Sequence, residues 1–311
     1  MVTGQLQRDT AVTMESKREL VDVAIVGFGP VGQALALMLG SRGYRVHVFE
    51  RQAALYPLPR AVCIDHEIRR VLGSVGMEED IAAITHPSPH YRWYNANWEL
   101  LLDIDWGLDS ISGGPDVNFV HQPTLEERLA EAARRRPTVT VDLGWDVTHL
   151  EERNDRVVIM AGERESGAER HIEARYVVGA DGANSFVRKV AGINSHDRGF
   201  EADWLVIDVL PNEDAKLDIP PAAQYCNPAR PTTIVPAGQR NGRFYRRWEF
   251  MRLPGESREA LENLDNVWRM LAPWLTPGQA ESCGIRSTRS GRSSPTSGAT
   301  ADCCWSGTLR T

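Results

Sequence analysis

The chain has 311 residues, 42% of them hydrophobic and 25% charged, which is apolar material enough for one large domain or two ordinary ones. A net charge of -7 excludes a broad nucleic-acid surface, because that surface needs a basic face. The longest apolar run, Val21 to Leu39, is broken by Gly27, Gly29, Pro30 and Gly32 and is too short to span a bilayer, so no membrane partner is expected. Five cysteines (Cys63, Cys226, Cys283, Cys303 and Cys304) form no CxxC pair, and no histidine cluster has ligand spacing. Neither a metal site nor a disulfide framework is expected. The first 20 residues are polar and lack an apolar signal core, and read as a flexible leader on a cytoplasmic protein.

Val21 to Val26 is a β-branched apolar run and predicts a buried strand. Gly27 to Gly32 is a glycine-rich turn, and Gln33 to Ser41 holds good helix formers ended by Gly43. Arg45 to Glu50 predicts a second strand, completing a βαβ unit. Asp65 to Gly73 reads as a helix, and the aromatic-rich stretch around residues 91–106 as a hairpin that joins a later sheet. Thr124 to Arg135 predicts a helix capped by Thr124, with Glu127 completing a capping box. Val139 to Val141, Trp145 to Glu151, Arg156 to Met160 and Arg175 to Val178 read as strands. Beyond Phe200, Trp204 to Leu210, Thr232 to Val235 and Phe244 to Phe250 read as antiparallel strands, followed by a helix over Arg258 to Leu271. The expected organisation is a leader (1–20), a dinucleotide-binding region (21–199), a second sheet with a helix (200–282) and an unfolded tail (283–311).

Two glycine turns carry the chemistry. In Gly27-Phe28-Gly29-Pro30-Val31-Gly32, the first glycine permits a tight turn, the second lets backbone approach a pyrophosphate, and the third lets helix and strand pack closely. The helix N-terminus then offers free N–H groups and a partial positive charge to phosphates. Glu50 lies 18 residues after Gly32, where a carboxylate can accept hydrogen bonds from a ribose and disfavours a 2′-phosphate. The alternative is a glycine turn that only packs a helix on a sheet, and the motif by itself does not separate FAD from NAD. The second turn is Gly179-Ala180-Asp181-Gly182-Ala183-Asn184-Ser185, followed by Val187-Arg188.

GADGANSxVR resembles the Asp-Gly signature of the class A flavoprotein monooxygenases, whose members include the para-hydroxybenzoate and phenol hydroxylases. Within that family, RAVCIDHEIRRVLGSVG, YRWYN with LLDIDW, and RRWEFMRLPGE look most like the 3-(3-hydroxyphenyl)propionate hydroxylases. The resemblance runs from Val21 to Glu281. It implies an α/β fold in which a Rossmann-like FAD-binding domain carries an antiparallel-sheet substrate domain. It implies an FAD site formed by Gly27, Gly29, Pro30, Gly32, Glu50, Arg51, Arg60, Gln122, Asp181 and Gly182, with Arg188 in support. The implied reaction uses NADH as co-substrate and O₂ to place a hydroxyl ortho to that of a phenolic aromatic acid. The flavin carries the hard chemistry, and the protein orients the ring and excludes water. No catalytic acid or base is identified: His66, His86, His90, His121 and His196 read as structural or exposed. Tyr225, Arg246 and Trp248 lie in the expected substrate sheet, where aromatics are more often core than lining. A flavin oxidoreductase that never hydroxylates, or an inactive truncated remnant, are the alternatives, and a homo-oligomer is left open.

The C-terminal stretch departs from the family. Members continue into a Gly-Asp-Ala-Ala-His signature, whereas Gly284 to Thr311 holds 15 Ser, Thr or Gly among 28 residues with no periodicity and reads as unfolded. Asp302 to Thr311 can be encoded as GAC TGC TGC TGG TCG GGG ACG CTG CGC ACN. Regrouped from the last base of the first codon, this gives LLLVGDAAH, and the same regrouping from Arg292 permits VFADKWRDGR before it. The expectation is a reading-frame shift near Ser282 to Gly284 that weakens folding and cofactor binding. Sequencing the coding DNA checks it: the shifted frame is expected to continue through a GDAAH word, and its absence there would refute the shift.

Overall fold

The computed structural model describes residues 19–58, 60–295 and 303–305. The expected leader, except its last two residues, lies outside them, as do Pro59 and parts of the tail. The chain opens with β1 (Glu19–Val26), α1 (Pro30–Gly40) and β2 (Val46–Glu50). Parallel partners flank this unit: β8 (Val139–Leu143) on β2, and β11 (Glu169–Gly179) on β1. The hairpin of β9 (Trp145–Arg153) and β10 (Arg156–Glu163) extends the sheet antiparallel to β11, in the order β8-β2-β1-β11-β10-β9. β1 is apolar on both sides because both faces are covered. Val23 and Ile25 join Ala36 and Leu37 of α1 and Leu129 and Ala133 of α4 (Gln122–Arg134). Ala24 and Val26 face the other way, onto Val147, Ile159 and Val187.

Between β2 and α4 lie β3 (Cys63–Asp65), α2 (His66–Gly73), α3 (Glu78–Ile84), β4 (Thr85–Pro87), the hairpin of β5 (His90–Tyr94) and β6 (Leu100–Asp105), and β7 (Val117–Val120). After β11 and the short α5 (Phe186–Val190) come β12 (Ser195–Pro211), β13 (Ala223–Tyr225), β14 (Thr232–Arg240), β15 (Arg243–Met251), α6 (Arg258–Glu262), α7 (Leu264–Leu271), β16 (Ala280–Pro295) and β17 (Cys303–Trp305). The second sheet has the order β16-β12-β15-β14-β13-β5-β6, so the early hairpin completes a sheet built mainly of later chain. One face is apolar: Leu205, Ile207, Ile234, Trp248 and Phe250 pack on Leu261, Val267 and Leu271 of α6 and α7. The other carries Asp208, Arg247 and Glu249 and turns toward the first sheet's loops.

Three expectations are corrected. The helix over Arg258 to Leu271 is broken at Asn263, whose backbone is extended and whose side chain accepts from the N–H groups of Asp265 and Asn266 to cap α7. α4 begins two residues before Thr124, with His121 at the N-cap and Pro123 in its first turn; the Thr124 hydroxyl meets His121 Nδ1 at 2.9 Å instead of capping. The tail is not uniformly unfolded. Ala280–Pro295 pairs along β12, and Cys303–Trp305 runs parallel to Val177–Gly179 at the end of β11. Backbone pairing onto an open strand edge needs no side-chain periodicity, so a Ser/Thr/Gly-rich sequence can satisfy it.

The second sheet meets a small three-stranded sheet, β3-β7-β4, and the start of α4 at Gly238 (φ +75°), where a Cβ would stand 2.1 Å from His121 N. His121 is buried and stacks on Tyr245 at 4.5 Å and 9°. Burial pushes its pKa from 6.5 down to about 4. The folded chain therefore refuses a proton that the unfolded chain accepts below about 6.5. The stability tied to neutral His121 is present above that pH and lost as pH falls toward 4, on the order of 3 kcal/mol in all. Denaturant midpoints measured from pH 7 to 4 are expected to fall more steeply for the wild type than for His121→Phe, which keeps the stacking; parallel curves would contradict this.

Candidate dinucleotide site

β1 ends beside Phe49 of β2 and Gly179 of β11, so three chain segments converge on one crevice at the carboxyl ends of parallel strands. Gly27 has φ +102°, and a Cβ on it would lie 2.4 Å from Ala180 O and 2.8 Å from Asp181 N. The two glycine turns thus press backbone to backbone, a fit only glycine allows. At Gly32 a Cβ would lie 2.0 Å from Gly27 O, which explains the close seating of α1. Gly29 is the opposite case: its φ is -74° and a Cβ would meet nothing within 4 Å. It borders open space at the N-terminus of α1, whose N-cap has no side-chain hydrogen bond and whose first turn holds no acid. Pro30 sits at the first helical position, where its missing N–H costs nothing.

Glu50 ends β2 at the mouth of the crevice. Its Oε2 accepts from Phe28 N at 2.8 Å and its Oε1 from Gln52 N at 2.8 Å, so the carboxylate and the loop amides are neighbours. Each oxygen keeps a lone pair for a ribose hydroxyl. Arg51 follows it and is exposed. Asp181 does two things: Oδ2 accepts from Phe186 N (2.6 Å) and Val187 N (3.2 Å) at the start of α5, whose N-cap is Ser185, while Oδ1 is buried with no partner among the described residues. Gly182 follows with φ +81° and open space at its Cβ position. The Gln33 side chain, on the first turn of α1, is likewise buried and unpartnered at both polar atoms. Orphaned polar atoms beside an uncovered glycine and a helix N-terminus fit a bound dinucleotide.

Arg60 and Gln122 are brought together, but with each other. Gln122 Oε1 accepts from Arg60 N at 2.8 Å and from Ala61 N, and its Nε2 donates to Glu126 Oε1 at 2.6 Å. Burial raises the Glu126 carboxyl above its usual range. On its far side, Arg60 O accepts from Arg247 Nη1 at 2.7 Å. Arg247 is buried and paired with Asp208 through Nε–Oδ1 (2.7 Å) and Nη2–Oδ2 (3.0 Å). The Arg60 peptide is therefore clamped between α4 and the second sheet, while its guanidinium lies 4.9 Å from the centre of the exposed Tyr56 ring. Of the three residues singled out in that sheet, Trp248 is core, Tyr225 stacks on Trp98 and donates to Ala96 O, and Arg246 donates to the carbonyls of Pro220 and Pro221. Sequence reasoning missed Asp208, Arg247 and Glu249. The alternation of charged 247 and 249 with apolar 248 and 250 was the available signal.

A family model described as "FAD binding domain" matches residues 20–273. The chain belongs to this family. It is 39% identical over 264 residues to a probable NADH-specific resorcinol 4-hydroxylase of Rhodococcus jostii, covering 85% of this chain and 49% of that protein. It is 33% identical over 260 residues to a 3-(3-hydroxy-phenyl)propionate/3-hydroxycinnamic acid hydroxylase of Burkholderia cenocepacia, covering 84% and 46%. The chain thus spans about half the length of the curated relatives it matches. Its fold is that of p-nitrophenol 4-monooxygenase from Pseudomonas putida (TM-score 0.81, 21% identity, 92% of this chain and 72% of that one). A ternary complex of aklavinone-11 hydroxylase with FAD and aklavinone is also similar (TM-score 0.77, 20% identity, 92% and 56%). The mixed α/β architecture expected from the sequence is that of these two structures. Among the described residues no helix is long and apolar enough to cross a membrane.

Open space at Gly29 separates binding from folding. Gly29→Val is expected to leave the thermal midpoint unchanged while weakening FAD affinity about tenfold or more in a fluorescence titration. Equal FAD affinity in the two proteins would place the diphosphate elsewhere.

Proposed function

We propose that this chain holds FAD by its adenosine diphosphate portion in the β1–α1 crevice, and that it serves an NADH-dependent hydroxylation of a phenolic ring ortho to an existing hydroxyl. The observation that carries this reading is the meeting of three features: loop amides with Glu50 at 2.8 Å, the clamped Arg60 peptide, and a polar sheet face behind it. The α1 N-terminus and Gly29 would receive the diphosphate, Glu50 a ribose, and Asp181 Oδ1 and the Gln33 amide further polar groups of the cofactor. Bound flavin would carry the two electrons of NADH to O₂, one oxygen atom of which would enter the ring while the other leaves as water. The chain's own task is placement: the Arg60–Ala61 loop is fixed by Gln122 and Arg247 over the sheet face, and a ring held between loop and sheet would be screened from water. Hydroxylating relatives at 39% and 33% identity support the reaction class. Both names describe rings that already bear a hydroxyl, one a neutral diol and the other an aromatic acid.

The test is NADH consumption by the FAD-loaded chain with and without resorcinol or 3-(3-hydroxyphenyl)propionate, with O₂ uptake and product analysis. Stimulated NADH oxidation with a new ring hydroxyl is expected for at least one of them. Oxidation indifferent to either phenol, with no hydroxylated product, would make the chain a flavin oxidoreductase of the same fold.

A further inference from the structure

The polar face of the second sheet can be read residue by residue from its register. Glu249 of β15 stands opposite Thr233 of β14, and Thr233 stands opposite Gln224 of β13. Directly opposed side chains share a face, so these three form one row across three strands. Arg247, two residues before Glu249, shares that face and reaches Arg60 O, so the row looks toward the cofactor loop. The face behind it is apolar and closed by α6 and α7.

The groups in the row differ in what they have left to offer. Thr233 Oγ1 donates to Gln224 Oε1 at 2.7 Å, and the Tyr91 hydroxyl donates to the same oxygen at 3.2 Å. Burial, with the Glu249 charge second, pushes the Tyr91 phenol up to about 12, so it stays protonated and committed to Gln224. Arg247 gives its guanidinium to Asp208 and to Arg60 O, and its Nη1 lies 3.7 Å from Glu249 Oε1, beyond hydrogen-bond reach. Among the described residues no hydrogen bond reaches the Glu249 carboxylate. Its surroundings desolvate it, which raises its pKa, yet 29% of the side-chain surface remains open. Apart from the Arg247 guanidinium at 3.7 Å, this carboxylate has no donor within reach among the described residues, on the sheet face that looks toward the Arg60 loop.

We propose that Glu249 is the binding point for a ring hydroxyl of the substrate, with Thr233 and Gln224 as the adjoining edge of the same subsite. The subsite selects aromatic rings that carry a hydroxyl donor: a phenol donates to the carboxylate, and a ring whose oxygens are methylated cannot. The inference rests on the ring-hydroxylase reading given above and names the residue that recognises the ring. A charge-assisted hydrogen bond to a desolvated carboxylate is stronger than a neutral one, so its loss is large enough to measure.

The test is a binding cycle on the full chain loaded with FAD, followed by calorimetry, with resorcinol and 1,3-dimethoxybenzene as probes. Glu249→Gln is expected to weaken resorcinol about tenfold or more and to leave dimethoxybenzene within about twofold. Glu249→Asp, which keeps the charge but withdraws it by one methylene, is expected to lose resorcinol affinity in the same selective way and stands in if the glutamine variant does not fold. An unchanged resorcinol affinity in both variants, or an equal loss for both probes, overturns the assignment of Glu249 and leaves the ring-hydroxylase reading standing. Failure of the wild type to bind either probe overturns that reading and the subsite together.

Discussion

The structure depends on the backbone contact between the two glycine turns. Gly27 lies so close to Ala180 and Asp181 that no side chain fits between them, and Gly32 lies equally close to Gly27. Those approaches bring β1, β2 and β11 to a common end, seat α1 over it, and leave the Gly29 position facing open space. Because the approach is backbone on backbone, a neighbouring rotamer cannot relieve it. A methyl at Gly27 or Gly32 would have to move a strand or a helix.

From that crevice the organisation spreads outward through a short chain of polar groups. Glu126 holds Gln122, Gln122 holds the N–H groups of Arg60 and Ala61, and the Arg60 carbonyl is held by Arg247, which is paired with Asp208. Glu126, Gln122, Arg247 and Asp208 are buried, and the loss of any one would strand a partner, which makes the link strongly specified. It joins the helix that follows β7 to the middle of the second sheet. The β1–α1 crevice and the polar face of the second sheet therefore do not rely on apolar packing alone for their relative placement.

Much of this was legible in the sequence, for physical reasons. A glycine-rich turn after a β-branched run, with an acid at the end of the next strand, leaves few alternatives, and Glu50 stands next to the loop as the spacing implied. The Asp-Gly turn was legible because its neighbours match a family word. The boundaries of α4 and the break at Asn263 were not. Pro123 and His121 start α4 ahead of a Thr that looks like a good cap, and Asn263 caps a second helix where periodicity suggested a single one. Residues 280–295 were misread because pairing with β12 is a long-range backbone event that leaves no pattern in a Ser/Thr-rich stretch. The roles of Gln122 and Arg247 were hidden for the same reason: their partners lie 62 and 187 residues away at Arg60.

The central claim is that backbone amides at the start of α1 receive the cofactor's diphosphate. Amide hydrogen exchange resolved to single residues, followed with and without FAD, tests it most directly. The account predicts slowed exchange confined chiefly to Phe28 through Gln33 and to the Ala180–Gly182 turn. Unchanged exchange at those amides, or protection concentrated on a different loop, would contradict it.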